Sequence, residues 1–286
     1  MTFSEAKEMI LSALKPLGHD YLGIIRRAFD EGWIDRAENE RKRHGAFCST
    51  VYGVHSYVFM TWRGRLRNMF TLAHELGHAC HGMLAGQHQS ILQIRSGLFF
   101  VEAPSTGHEV FLGNYLLSKE KDPLRRIHII QAFMGTFIHN MVTHLLQGHL
   151  ERRLYRLAEK GVPITLSTIR QEQRAVYEGF FGDAVVIDDV DELAWMTVPH
   201  YYTGLYPYTY AAGLSCGVAV ARRVLTEGTP AAEDWLAALK MGGTAFPLEL
   251  MDRAGVNLRD PETLREGARE FGKLVKELEE LLRDLP

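Results

Sequence analysis

The chain of 286 residues has only three cysteines, Cys48, Cys80 and Cys216. Three scattered thiols cannot build a disulfide framework, and their spacing does not suit a cysteine-based zinc site. Cys80 falls just past His78, but the plainer reading is a small buried residue. No run of about 18 apolar residues occurs, so no transmembrane span is expected. No basic-then-apolar leader opens the sequence, because Met1 to Ser12 is amphipathic and carries acids, so a cytoplasmic location is the default expectation. An excess of positive charge is also missing. The formal net charge is −3, which argues against nucleic acid as a partner. Paired arginines such as Arg125-Arg126 and Arg152-Arg153 read as solvated helix faces. There is no Gly-rich phosphate loop, no Gly-x-Ser-x-Gly elbow, no internal repeat and no low-complexity linker. What remains is an ordinary globular composition, 46% hydrophobic and 23% charged, in a chain long enough for a substantial core in one or two domains.

The most informative stretch is His74-Glu75-Leu76-Gly77-His78. In a helix, two histidines four residues apart lie one turn apart on the same face, so both imidazoles can reach one zinc ion. Glu75 is rotated aside, where it can address a metal-bound water as general base. That is the layout of metal-assisted peptide hydrolysis. The bland alternative is a helix with two polar histidines beside a core. A catalytic zinc usually takes a third protein ligand. From His81 to Val101 the chain has no Asp or Glu, and Glu102 then stands inside the apolar run Phe99-Phe100-Val101-Glu102-Ala103. A charge there is costly unless paired, and a divalent cation would pair it; the alternative is a half-exposed Glu at a helix start. Glu109 falls one or two turns further along the same helix, where it could accept a hydrogen bond from a zinc-bound imidazole. His81 reads as a neighbour of the site or a surface residue. His139, His144 and His149, spaced by five, scatter around an α-helix, which argues against a second metal site.

Most of the chain reads as helix. Residues 3–14 and 17–31 fit two amphipathic helices parted near Pro16. Residues 46–62 are rich in β-branched and aromatic side chains, with Gly53 as a turn, and predict a hairpin or small sheet. An edge strand beside a metal site can pair with an extended peptide; the alternative is a purely structural hairpin. The metal-motif helix is expected over about 68–84. Further helices are expected over 109–117, 123–160, 166–181, 207–226 and 231–241, with 185–191 as a loop or edge segment. Asp260 and Pro261 make an N-cap and first-turn pair. The helix they start aligns Leu264, Ala268, Phe271, Leu274, Val275, Leu278, Leu281 and Leu282 on one stripe, which packs on the body or forms a dimer seam. Around Pro199-His200-Tyr201-Tyr202-Thr203-Gly204-Leu205-Tyr206, tyrosines and one histidine gather about glycines. Such a segment suits a loop that folds over substrate, with His200, Tyr208 and Tyr210 as donors to a developing oxyanion. The alternative is tyrosines packed at a helix start.

Thr71-Leu72-Ala73-His74-Glu75-Leu76-Gly77-His78-Ala79, followed by Phe100-Val101-Glu102-Ala103-Pro104-Ser105, resembles the oligoendopeptidase F and thimet oligopeptidase family of zinc peptidases. Gly45-Ala46-Phe47-Cys48, Gly64-Arg65-Leu66, the tyrosine-rich stretch from His200 to Ser215, Gly242-Gly243, Pro247 and Ala254-Gly255-Val256-Asn257 to Asp260-Pro261 extend the likeness over almost the whole chain. The resemblance implies a mainly α, zincin-type metallopeptidase catalytic domain spanning 1–286, with a small β-sheet or hairpin beside the active-site helix and a substrate loop over about 198–213. It implies one Zn2+ per chain held by His74, His78 and Glu102, with Glu75 as catalytic base and with a His and tyrosines, here His200 with Tyr208 or Tyr210, on the tetrahedral intermediate. Two departures stand out. Asn68 occupies a position where the family more often has Asp. Members are also commonly about twice this length, so the chain corresponds to a C-terminal catalytic half, and a homodimer or a partner chain would be ways to supply the other wall of the cleft. The expectation is a zinc endopeptidase of short oligopeptides. The alternatives are one chain of a two-piece peptidase, a non-catalytic peptide-binding protein, or a zinc carboxypeptidase.

Overall fold

A computed structural model describes residues 1–284. It is mainly α, with eleven α-helices and one three-stranded sheet among the described residues. Contacts within the chain divide it into two compact units, residues 1–137 with the chain from Ala212 onward, and Ile138–Ala211.

The first unit opens with α1 (Phe3–Ala13) and α2 (His19–Asp30), separated by a 3-10 turn that holds Pro16. Thr2 caps α1, accepting from Glu5 N–H while the Glu5 carboxylate accepts from Thr2 N–H, a reciprocal pair that satisfies two otherwise orphaned donors. The hairpin of β2 (Phe47–Thr50) and β3 (Ser56–Phe59) is antiparallel, with Cys48 opposite Val58 and Thr50 opposite Ser56. Gly53 supplies the positive φ in its connection. A two-residue strand, β1 (Ile34–Asp35), adds in parallel on the other side of β3 and was not anticipated. That leaves β2 at an edge.

Helix α3 (Leu66–His88) runs through the centre of this unit and is longer than expected at both ends. Asn68 fixes its start, because its Oδ1 accepts from the backbone N–H of Arg63 and of Arg65. Across it lies α4 (Leu98–Lys119), which is buried almost continuously from Glu102 to Gly113. This helix begins eleven residues before the expected Glu109 and carries Pro104 inside it. A proline forfeits one helical hydrogen bond. Here the buried packing of α4 outweighs that loss. Gly77 permits the close crossing: a Cβ there would lie 2.5 Å from Pro104 O and 2.6 Å from Ser105 Cα.

The remaining helices of the unit are α5 (Pro123–Phe137), most of α8 (Thr209–Glu227), α9 (Thr229–Lys240), α10 (Pro247–Arg253) and α11 (Pro261–Arg283). Asp260 caps α11 by accepting from Glu262 N–H. Helix α11 packs on α5, helped by an ion pair between Arg126 and Glu277. Its apolar stripe is covered only in part: Leu274 is buried, whereas Leu264 and Leu282 stay about half exposed.

In the second unit, a π-helical turn (Ile138–Thr143) leads into α6 (His144–Glu159), which packs against α7 (Leu166–Phe181). The expected uninterrupted helix over 123–160 is therefore three elements. Leu146, Leu150 and Val176 form the core of this unit, flanked by Val142, Leu154, Tyr177, Phe181, Trp195 and Tyr201. Three 3-10 turns, Gly182–Ala184, Asp191–Thr197 and Pro199–Tyr202, follow, the second tied to α7 by Glu192 with Arg170 and Arg174. Among the described residues no helix is long and apolar enough to cross a membrane.

Candidate metal centre

Helices α3 and α4 bring three sequence-distant donors to one point. His74 Nε2 and His78 Nε2 each lie 3.3 Å from Glu102 Oε2. One donor atom from each of the three residues falls within 4.8 Å of the others, and among the described residues no other group of His, Cys, Asp or Glu does this. The two imidazoles stand one helical turn apart with their rings nearly perpendicular, 4.9 Å between centroids. Both keep roughly a fifth of their side chain exposed, while Glu102 is buried. The site thus has a dry wall on the α4 side and an accessible rim on the α3 side.

The surroundings fix these groups. His74 Nδ1 lies 2.8 Å from Glu109 Oε1. A carboxylate accepts, so Nδ1–H donates and the tautomer leaves Nε2 for a metal. Glu109 is itself held through Oε2, which accepts from Thr136 Oγ1 at 2.5 Å and Arg67 Nη1 at 3.4 Å. Ser105 Oγ donates to Glu102 Oε2 at 2.8 Å. Behind α3, His108 Nδ1–H donates to Ala73 O at 2.9 Å, and its Nε2 accepts from Tyr21 at 2.6 Å. Gly213, at the start of α8, presses on Glu102, since a Cβ there would lie 2.6 Å from Glu102 Cβ. Of these supports, sequence reasoning reached only Glu109. Ser105 was legible in principle, three residues along the helix from Glu102. Arg67, Thr136 and Tyr21 carry no local signal, because helix crossings bring them in.

Electrostatics reinforce the grouping. Burial alone would raise Glu102, but His78 and His74 outweigh it and hold its carboxyl well below the ordinary range. Glu109 is likewise held down against burial by His74 and Arg67. Burial would depress His74, yet Glu102 and Glu109 lift it well above its usual value. The two carboxylates thus favour positive charge beside them, which a divalent cation would supply. Glu75, 5% exposed, is raised by burial, partly offset by the two histidines. Its Oε2 is buried without a hydrogen-bond partner. His81 is neither a surface residue nor held by a carboxylate. It is buried against the edge of Phe100.

His200, Tyr208 and Tyr210 lie in the second unit. His200 sits on the Pro199–Tyr202 turn, and Tyr210 is in the first turn of α8. Tyr210 Oη lies 2.9 Å from Tyr206 Oη and 3.3 Å from His200 Nε2. The Tyr208 side chain is more exposed, and its backbone packs on Gly148. His139 and His144 do not scatter as expected. Their Nε2 atoms are 3.1 Å apart. On an α-helix a spacing of five leaves side chains roughly 140° apart; the wider π turn, with its i→i+5 bonding, closes that angle.

The chain matches the model of peptidase family M3 over residues 5–270. It is 33% identical over 282 residues to the oligopeptidase PepF of Bacillus subtilis, covering 99% of this chain and 42% of that protein. It is 27% identical over 280 residues to the chromosomal oligoendopeptidase F of Lactococcus lactis subsp. cremoris, covering 98% and 46%. In three dimensions it superposes on the oligoendopeptidase F of Enterococcus faecium with a TM-score of 0.72 and 27% identity, over 98% of this chain and 44% of that one. The chain thus spans a little under half the length of these relatives. With the family model matching most of its length, the chain belongs to peptidase family M3.

Proposed function

We propose that this chain carries the metal centre of a zinc-dependent endopeptidase acting on short oligopeptides. The convergence of His74 Nε2 and His78 Nε2 on Glu102 Oε2 carries the reading. The donor set fits zinc. Two imidazole nitrogens and one carboxylate are the number and type of ligands of a catalytic site. Three buried carboxyls, Glu75, Glu102 and Glu109, are gathered where the nearby permanent cation is Arg67, and a divalent ion would balance them.

Zinc, when bound, supplies Lewis-acid polarisation of the scissile carbonyl and makes water a better nucleophile. The chain supplies the rest. Glu75 takes a proton from the attacking water on its carboxylate and passes it to the leaving amine. A carboxyl raised towards the working pH is better matched to both steps than an ordinary one. Glu109 holds the His74 ring and its tautomer. The edge strand β2 offers unpaired backbone groups for an extended peptide. His200 and Tyr210, with Tyr208 beside them, donate to the carbonyl oxygen as negative charge develops.

Metal analysis of purified variants tests the ligand assignment. His74→Ala, His78→Ala and Glu102→Ala each lose zinc, whereas Glu75→Gln keeps one zinc per chain and loses at least about a thousandfold in turnover. Full zinc retention in Glu102→Ala would overturn the assignment of the third ligand.

A further inference from the structure

We infer that one face of α6 is the platform that fixes the His200–Tyr210 segment, with Glu151 and His144 as its positioning residues. The inference rests on the reading of His200 and Tyr210 as donors to the developing oxyanion. His144, Gln147, Gly148, Glu151 and Tyr155 recur at the three- and four-residue spacing that lines one side of a helix. Each of them meets the segment or supports a residue that does. The His144 ring lies flat against Tyr210, 4.0 Å between centroids and 16° between planes. Its own orientation is set at both nitrogens, Nδ1 at 2.8 Å from Gln147 Oε1 and Nε2 at 3.1 Å from His139 Nε2. Gln147 O accepts from Tyr201 Oη at 3.3 Å. The absence of a side chain at Gly148 lets the Tyr208 backbone approach, its N within 3.3 Å of where a Cβ would stand.

Glu151 makes the tightest of these contacts. Its Oε1 accepts from the backbone N–H of Leu205 at 2.6 Å, and Tyr155 donates to the same oxygen at 3.3 Å. Leu205 has φ +52° directly after Gly204 at φ +66°. A left-handed leucine is unfavourable by itself and persists only where its surroundings hold it. Glu151 is 4% exposed, and its Oε2 is buried without a hydrogen-bond partner. For stability alone, a buried carboxyl with one oxygen unpaired is a poor choice beside an apolar side chain of similar size. Its chemistry is explained by the strained turn it holds, and that turn sets where the following tyrosines stand.

The zinc-loaded full chain and its variants Glu151→Ala and Glu151→Gln are compared by amide hydrogen exchange over residues 199–210, thermal melting, and kcat and KM on an oligopeptide, with Tyr210→Phe alone and in combination. In Glu151→Ala, exchange of the segment quickens by about tenfold or more while the melting temperature holds. There kcat falls on the order of 10- to 100-fold with KM nearly unchanged, as expected of a displaced donor. Glu151→Gln restores most of both, because an amide oxygen can still accept the Leu205 N–H. Glu151→Ala slows Tyr210→Phe by less than it slows the wild-type chain, because one of the two displaced donors is already gone. Unchanged exchange in Glu151→Ala overturns the inference, as does a full kcat there beside a slow Tyr210→Phe. A full rate in Tyr210→Phe itself would instead refute the donor reading, and exchange then decides the platform by itself.

Discussion

On α3, burial acts on two titratable side chains with opposite sign. It raises the carboxyl of Glu75 and depresses the imidazole of His81 to about 4, the latter helped by His78. Both follow from the cost of holding charge away from water. For His81 the folded value lies below the ordinary 6.5. As pH falls from about 6.5 towards 4, the unfolded chain takes up a proton that the folded chain refuses. The contribution is complete above the unfolded value and is lost on acidification, amounting to about 2 kcal/mol at pH 5. His81 Nε2 is also buried without a hydrogen-bond partner. Replacing the ring by an apolar side chain therefore removes a liability. His81→Leu is expected to unfold at pH 7 as wild type does, or slightly higher, and to lose about 2 kcal/mol less between pH 7 and pH 5. Urea unfolding at the two pH values checks this, and parallel losses in both proteins would contradict it. The sequence showed that His81 follows a metal motif. It could not show which way the ring turns, because that depends on Phe100 of a different helix.

At the scale of the element, the crossing of α3 and α4 brings the three candidate ligands together. Gly77 lies inside the metal motif, and its lack of a side chain lets Glu102 approach both imidazoles. In Gly77→Ala the new methyl meets backbone of Pro104 and Ser105, which cannot turn away as a side chain could. The expected cost is about 1–3 kcal/mol, together with zinc affinity lower on the order of tenfold as Glu102 recedes. Gly23, on α2, is the control, since nothing lies within 4 Å of where its Cβ would stand. Gly23→Ala should stabilise by up to about 1 kcal/mol through helix propensity and leave zinc binding alone. Equal zinc titrations for Gly77→Ala and wild type would contradict this account of the crossing. Elements with strong local signals were legible: α7 spans the expected residues, α11 starts at its Asp-Pro cap, and the hairpin falls around Gly53. The start of α4 was not, because Pro104 is a local stop signal that tertiary burial overrides. Nor was the π turn after α5, which carries no residue pattern of its own and realigns His139 with His144.

At the scale of the molecule, the mainly α class was legible from helical patterning along the chain and the family from two short blocks, because holding a metal with His and Glu needs particular residues at particular separations. The division of contacts into two units was not, since the chain leaves the first unit after Phe137 and returns at Ala212 without a linker composition. The two units carry different parts of the proposed chemistry, the metal ligands and base in one and the His/Tyr segment in the other. Cleavage of a mixed oligopeptide pool by the zinc-loaded chain, read by mass spectrometry beside Glu75→Gln, tests the proposal most directly. Cuts at internal bonds by the wild-type chain and none by the variant are expected. Stepwise loss of terminal residues, or equal cleavage by both proteins, would contradict it, and zinc-loaded wild-type chain that cuts nothing would leave it a peptide-binding piece rather than an enzyme in its own right.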